Sequence, residues 1–488
     1  MSELVRSVGL LSFQQIVLML LGATRTKFAA SLLGPSGMGL LAQAASFQDL
    51  IRQISMLGST SGFLKLAAEA LGREDHRGLE RLIVSALALF GGIAVLLAAL
   101  CVAFAATLSG WVFHDPAFAP LIVLGAVGLV FAVPGTLVGR MFSGALQFRS
   151  YVQLAIFDSL AGLVAMVVLL SLLGLTGAVA SFAVAEAAAL CFGGVLLWRR
   201  VVRPLGLDLR PRAPDPATIR RLVRFAGALA LTSMAAAGAT LFVRGEIIRR
   251  FGSEANGYYQ VAWQVGQNYL GILGTSLWSY GMPKVASKID QADVVADLQN
   301  DFLRIALAVF APGIVLLLCA REIWVPVLYT RAFLAAGGML CWQLSGELVA
   351  MIRQSMNISL LPRERLGFLV FQAVLYWGGW ALLSLALLPR FGAIAVAFGY
   401  CAANLLALLA TYAYHRTALG YRVRRDNVQL LVVTLPGFAL AAALASGSDP
   451  LSARVVPLAL VALWLVWNRR VYLDALRATS FARGGRAR

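Results

Sequence analysis

Apolar residues run along this chain in long blocks, separated by short breaks that carry glycine, proline or basic side chains. A helix needs about 20 predominantly apolar residues to cross the hydrocarbon core of a bilayer. By that measure the pattern predicts fourteen spans, near 5–33, 40–70, 80–108, 118–147, 150–173, 177–199, 218–250, 256–284, 298–320, 334–361, 366–388, 392–415, 427–446 and 454–468. Several exceed the minimum, which leaves room for tilt or for extension beyond the membrane. The fold class expected is an all-α polytopic membrane protein.

Composition agrees. Of 488 residues, 60% are hydrophobic and 13% charged, whereas a soluble domain carries about a quarter charged residues. Cys101, Cys191, Cys319, Cys341 and Cys401 all fall in apolar spans without a metal-binding or CxxC spacing, so they read as small packing residues. The first apolar run has no small-residue cleavage site after a short core and reads as a retained helix.

The formal net charge of +18 changes the picture only through its distribution. The basic residues sit in loops, as in "RRVVRPLGLDLRPRAPDPATIRRLVR" (199–224) and the tail "RRVYLDALRATSFARGGRAR" (469–488), with none of the interleaved aromatics of a nucleic-acid platform. With a cytoplasmic N-terminus, 27 of the 41 basic residues fall in inner loops and termini and six in outer loops. The positive-inside rule then places both termini in the cytoplasm and the turn at 34–39 outside.

The chain also repeats itself. "LLGPSGMGLLAQAASFQ" (32–48) has a counterpart in "RRFGSEANGYYQVAWQVG" (249–266), with Gly34 matching Gly252 and Gly39 matching Gly257. "WVFHDPAFA" (111–119) parallels "WVPVLYTRAFLAA" (324–336), and "LTGAVASFAVAE" (175–186) parallels "RFGAIAVAFGYC" (390–401). Three matches in one order, at offsets of 213 to 218, indicate an internal duplication. The expected organisation is an N-terminal six-helix lobe (1–200), a basic cytoplasmic linker (201–217) and a C-terminal six-helix lobe (218–416). Two extra helices (427–468) and a basic cytoplasmic tail (469–488) follow.

Two stretches carry a family resemblance. The "GPSGMGLLAQ" turn with its "SFQDLIRQISMLGSTSGFLKLAAE" helix, and "GSEANGYYQVAWQVGQNYLGILGTSLWSYGMPKVASKI" in the second half, resemble the multidrug/oligosaccharidyl-lipid/polysaccharide exporter superfamily. Within it they are most similar to the O-antigen and enterobacterial common antigen lipid flippases. The resemblance implies two lobes around a cavity open to alternate sides of a bacterial inner membrane. It also implies a polyprenyl-pyrophosphate oligosaccharide as substrate, carried from the cytoplasmic to the periplasmic leaflet, with cavity charges on its anionic head group.

The residues themselves support a compatible reading. A charge at bilayer centre costs roughly 2.5–3.5 kcal/mol on insertion scales. Lys65 and Arg304 lie near cytoplasmic span ends, and Lys27 lies near an external one, so each can snorkel. Arg25, Arg52, Arg140, Arg244 and Arg353 lie deeper and at related places in both halves, and a guanidinium binds phosphate bidentately. They are the candidate head-group ligands. Asp49, Asp158, Glu186, Glu246 and Glu347 are candidates for charge pairing or for coupling to a proton or sodium ion. Gln43, Gln48, Trp263, Gln264 and Gln267 are candidate glycan contacts or, equally, glue between helices.

No nucleophile or metal constellation and no phosphate-binding glycine loop stands out, which disfavours an enzyme or an ATP-driven pump. No cofactor is expected beyond a coupling ion. The expected partners are the lipid-linked substrate, membrane lipids and a candidate polysaccharide polymerase. A peptidoglycan-precursor (lipid II) flippase and a drug/cation antiporter of the same superfamily remain as alternatives. The topology has a direct test. In a cysteine-free background, Ser36→Cys should react with an impermeant maleimide on intact cells, and Arg210→Cys only after permeabilisation; the opposite pattern contradicts the assignment.

Overall fold

The computed structural model describes residues 2–58, 60–210, 213–271, 281–445 and 450–469. The expected basic tail beyond Arg469 and part of the eighth span (272–280) lie outside the described residues. Among the described residues every regular element is helical. Nine helical stretches are long and apolar enough to cross a membrane, but Phe13–Ser55, Phe148–Val202, Ala230–Gln267 and Leu366–Ala418 have about twice the length of one crossing. Each of the four is interrupted at one glycine and resolves into two spans. With the shorter apolar helix at Val456–Trp467, this gives fourteen.

We number them α1 (2–33), α2 (35–55, resuming as Thr60–Gly72), α3 (76–112), α4 (Ala119–Gly144), α5 (148–173), α6 (175–197) and α7 (216–251). They continue as α8 (253–271), α9 (Ala292–Cys319), α10 (Gly337–Asn357), α11 (Leu366–Phe391), α12 (Ala395–Ala418), α13 (Arg425–Ala445) and α14 (Pro450–Trp467). The chain turns between α1 and α2 at Gly34 (φ 62°), between α5 and α6 at Gly174 (φ 59°), between α7 and α8 at Gly252 (φ 84°) and between α11 and α12 at Gly392 (φ 64°). Their ψ angles lie between 137° and 172° in magnitude, a combination that only glycine adopts without strain. Gly252 follows Gly34 by 218 residues, and Gly392 follows Gly174 by the same interval.

The chain packs as two units. The first comprises Met1–Gly257 with the short segment Val327–Ala332, and the second comprises Tyr258–Pro326 with Phe333–Arg488. In the first, the α5–α6 pair packs against α4 and against α1–α2. In the second, α12 packs between α10 and α11, while α9 contacts α10, α13 and α14 and so ties the two extra helices to this unit. Large apolar side chains such as Leu172, Leu382 and Leu463 are exposed on the helices, as a lipid-facing surface requires.

Helix α7 packs with the first unit, which runs on through Gly257 at the start of α8. Local bonds explain this. The Asp208 amide donates to Glu80 Oε1 at 2.7 Å, the Asp215 amide donates to Ser85 Oγ at 2.9 Å, and Arg221 reaches Glu69 at 3.3 Å. Asp215 caps α7 by accepting from the Thr218 hydroxyl and amide, and these bonds hold its carboxyl below the ordinary aspartate range. Farther along, Gln43 on α2 donates to Leu241 O on α7.

The two matching turns meet inside the first unit. A Cβ added to Gly39 would lie 1.9 Å from Ser253 O, and one added to Gly257 would lie 1.9 Å from Pro35 O. The hydroxyls of Ser36 and Ser253 are 2.5 Å apart, and Asn256 Nδ2 donates to Gly39 O at 2.7 Å. Backbone packs on backbone here because neither glycine has a side chain. Nearby, the Lys27 ammonium donates to Tyr329 O and holds the 327–332 segment in this unit. Either Gly39→Ala or Gly257→Ala should therefore cost on the order of 1–3 kcal/mol, as overpacking does. Thermal unfolding in detergent should show this against Gly91→Ala, where an added Cβ meets nothing within 4 Å; equal melting temperatures would contradict the close packing.

Candidate substrate-binding site

Five spans of the first unit gather charge. Asp49 and Arg52 share one face of α2, three residues apart, and their side chains pair at 3.3 Å. Arg52 also reaches Glu186 on α6 at 3.7 Å. On α1, Arg25 lies against α5 at Gly162, where an added Cβ would be 3.2 Å from Nη1, and it interacts electrostatically with Asp158 one turn earlier on α5. Asp158 in turn feels Arg52. Glu186 of α6 sits opposite Gly135 of α4, and Gln48 of α2 sits opposite Gly125 and Gly128 of α4, so small residues make room for the polar groups.

These groups are not sealed in. The Arg52, Asp49 and Glu186 side chains are 42%, 43% and 30% exposed, and Asp158 is exposed. Charges on apolar helices keep such exposure only where water or a polar ligand reaches them. Ion pairs this exposed contribute about 0–1 kcal/mol each, so a competing anion displaces little stability. Half-buried Arg140 on α4 makes no hydrogen bond or ion pair among the described residues. The arrangement can hold a multiply charged anion by guanidinium forks and share the neighbouring carboxylates with hydroxyl donors.

The other candidate arginines are placed differently. Arg244, on α7, is 2% exposed and donates to Asn256 Oδ1 at 3.3 Å behind the crossed turns. Arg353, on α10, is buried in the second unit. It donates to Gln372 Oε1 at 3.2 Å and Asn404 Oδ1 at 3.3 Å, with its guanidinium 4.8 Å from the Tyr376 ring centroid. Gln372 exchanges two bonds with Asn357 and donates to Thr411, completing a buried amide network. Both arginines thus hold helices together in the interior of their own units.

The remaining candidates also separate. Gln43 is fully buried and donates to Val112 O at 2.7 Å as well as to Leu241 O, which makes it a structural tie between α2, α3 and α7. Glu246 pairs with Arg249 at 2.6 Å and Arg250 at 3.1 Å, so it neutralises charge at the end of α7. Glu347 instead accepts from three neutral donors: Tyr400 Oη at 2.8 Å, Gln267 Nε2 at 3.2 Å and Gln343 Nε2 at 3.4 Å.

In the second unit, α8 carries Gln260, Gln264 and Gln267 along one stripe, with Trp263 between them and Gln267 exposed. Trp263 stacks on fully buried Trp380 at 5.4 Å, and Trp377 lies 6.5 Å from Trp263. The sequence signal for these partners was "YWGGW" (376–380), aromatics spaced by glycines inside an apolar span. The polar Gln372 and Asn404, in otherwise apolar helices, were the corresponding signal for the Arg353 network. Separately, α9, α13 and α14 enclose an apolar groove of about 400 Å³ lined by Ala311, Pro312, Val315, Phe438, Leu460 and Trp464.

Comparison with known proteins places this architecture. Residues 4–283, more than half of the chain, match the polysaccharide biosynthesis protein family. The chain is 24% identical over 379 residues to the lipid III flippase of Escherichia coli (strain K12), spanning 77% of this chain and 89% of that protein. The Shigella flexneri lipid III flippase matches to the same extent. Among solved structures, the lipid II flippase MurJ in an inward closed conformation superposes with a TM-score of 0.73 at 12% identity, covering 96% of this chain and all of that one. An inward-facing multidrug resistance MATE family transporter of the MOP superfamily gives 0.63 at 14% identity, covering 85% of this chain and 98% of that one.

The fold is therefore that of a multi-pass membrane protein, shared with the lipid II flippase and the MATE transporter. The chain belongs to the polysaccharide biosynthesis protein family.

The two classes of arginine predict different costs. Arg353→Met strands buried amide oxygens, each worth about 1–3 kcal/mol, and should lower thermal stability clearly. Arg52→Ala should change it by no more than about 1 kcal/mol. Melting curves in detergent that reverse this order would contradict the burial assigned to Arg353.

Proposed function

We propose that the protein is a flippase for a polyprenyl-pyrophosphate-linked oligosaccharide, such as an O-antigen, common antigen or exopolysaccharide repeat unit. It carries this lipid from the cytoplasmic to the periplasmic leaflet of a bacterial inner membrane, with both termini in the cytoplasm and its two lobes opening alternately. The observation that carries the reading is the half-exposed cluster of Arg52, Asp49 and Glu186, with Asp158 exposed and Arg25 partly buried beside it, charges placed on apolar helices.

In this reading Arg25 and Arg52 bind the pyrophosphate, with Arg140 on α4 as a further guanidinium. Guanidinium groups suit this because they match phosphate oxygens in a planar fork. Gln48, Trp263, Gln264 and Gln267 meet the sugars through amide hydrogen bonds and an aromatic face. The apolar groove between α9, α13 and α14 accepts part of the isoprenoid chain. The lipid III flippases are the sequence relatives that support a lipid-linked oligosaccharide. A second reading, transport of a peptidoglycan precursor, is supported by the likeness in fold to the lipid II flippase over nearly the whole chain. Both readings need the same pyrophosphate site and differ in the glycan.

The test is translocation in liposomes carrying a polyprenyl-pyrophosphate oligosaccharide, read by an impermeant lectin or glycosidase. Wild-type protein should expose the glycan on the opposite face, and Arg25→Ala or Arg52→Ala should reduce the initial rate at least about tenfold, the equivalent of 1.4 kcal/mol. Uptake of a soluble organic cation, without glycolipid movement, would overturn the reading.

A further inference from the structure

Helix α8 sets one tryptophan among three amides. Gln260, Trp263, Gln264 and Gln267 stand at positions i, i+3, i+4 and i+7 and share one helix face. Gln260, Trp263 and Gln264 are half-buried and Gln267 is exposed. Trp263 is held from one side. Helix α11 supplies fully buried Trp380, whose ring centroid lies 5.4 Å from that of Trp263 with the two planes 11° apart. The Trp380 indole N–H donates to Val396 O at 3.1 Å, which fixes this lower ring in turn. One face of Trp263 is therefore covered, and the exposure it keeps belongs to the rest of its indole. Trp377 stands at the rim of the stack, tilted 52° to Trp263 and 60° to Trp380, and the Tyr400 ring meets Trp263 edge-on at 6.0 Å.

The amides are tied down as well. Gln260 Nε2 donates to Gln264 Oε1 at 3.3 Å, and Gln267 Nε2 donates to Glu347 Oε1 and to Tyr400 Oη, each at 3.2 Å. Packing alone does not call for three amides here, since an apolar face would serve α8 without their desolvation cost. A stacked ring and tethered amides also lose little conformational entropy when a ligand settles on them.

We propose that Trp263 is the stacking platform for one pyranose ring of the glycan, and that it selects a ring with equatorial hydroxyls and a face of C–H bonds alone. This role rests on the flippase reading above and narrows its glycan to one class. Axial C–H bonds present slightly positive hydrogens to the negative π face of the indole. Equatorial hydroxyls point outward in the plane of the ring, toward the turns that carry Gln260, Gln264 and Gln267, whose amides both donate and accept. An axial hydroxyl pressed onto the indole would lose its water and gain no partner. Trp380 beneath the platform and Trp377 at its rim keep the indole from turning away when the ring arrives.

The experiment uses full-length protein in lipid nanodiscs and two isomeric probes, methyl β-D-glucopyranoside and methyl α-D-mannopyranoside. The glucoside carries only C–H bonds on both faces, and the mannoside carries an axial oxygen on each. Saturation-transfer NMR reads their binding. Wild type should bind the glucoside and hold the mannoside at least about fivefold more weakly, the lower end of the penalty for a hydroxyl buried without a partner. Trp263→Phe, which keeps an aromatic face, should retain this preference, and Trp263→Leu should abolish it. Trp111→Leu, at an exposed ring of the first unit, should leave it unchanged. Wild type and Trp263→Phe decide the matter if Trp263→Leu fails to fold. Equal binding of the two probes, binding of neither, a preference that survives in Trp263→Leu, or one lost from Trp263→Phe or Trp111→Leu would each overturn the proposal. Glycolipid translocation by protein that binds neither probe would overturn the stacking role alone, so its failure and failure of the flippase reading are distinguishable.

Discussion

A guanidinium held at bilayer depth must find a carboxylate, a ring of amides or water, because hydrocarbon offers nothing in return for its lost hydration. The two units meet that demand in opposite ways. In the first, Arg52 pairs with Asp49 and Glu186 while it stays half open, and partly buried Arg25 acts on Asp158. In the second, Arg353 is enclosed by Gln372, Asn404 and the Tyr376 ring. Enclosure makes an arginine a structural member. Openness leaves it with weak partners that an incoming anion can displace, which is why the proposed function puts the head-group site in the first unit.

The crossed turns supply the complementary device. Gly39 and Gly257 allow the starts of α2 and α8 to meet backbone to backbone. Helix α2 then runs on to Asp49 and Arg52, and α8 runs on to Trp263, Gln264 and Gln267. Polar groups that the transport reading does not need open, such as Gln43 and Arg244, are spent on bonds around that contact.

Much of this was legible in the sequence, for physical reasons. The fourteen spans followed from the length of apolar blocks, since a bilayer imposes one length scale on every helix. The turns followed from glycines at 34 and 252, positions where other residues would be strained. Charges in apolar spans marked Arg25, Arg52, Asp158 and Glu186 as residues in need of partners. Sequence could not show which partners they find. Arg244 and Arg52 look alike as isolated cations, and only packing separates a buried tie from an open site. The packing boundary at Gly257 was hidden as well, because it depends on backbone bonds from the linker to Glu80 and Ser85 that leave no compositional trace. The aromatic group around Trp263 draws on Trp377, Trp380 and Tyr400 from helices far apart in the chain, so no local motif announces it.

The central claim is that Arg25 and Arg52 of the first unit hold a pyrophosphate. Native mass spectrometry of the intact protein with polyprenyl pyrophosphate and polyprenyl monophosphate tests it most directly. The account predicts that wild type retains the pyrophosphate in preference to the monophosphate, and that the Arg25→Ala/Arg52→Ala double variant loses this preference while remaining folded. Equal retention of both lipids by wild type, or an undiminished preference in the double variant, would contradict it.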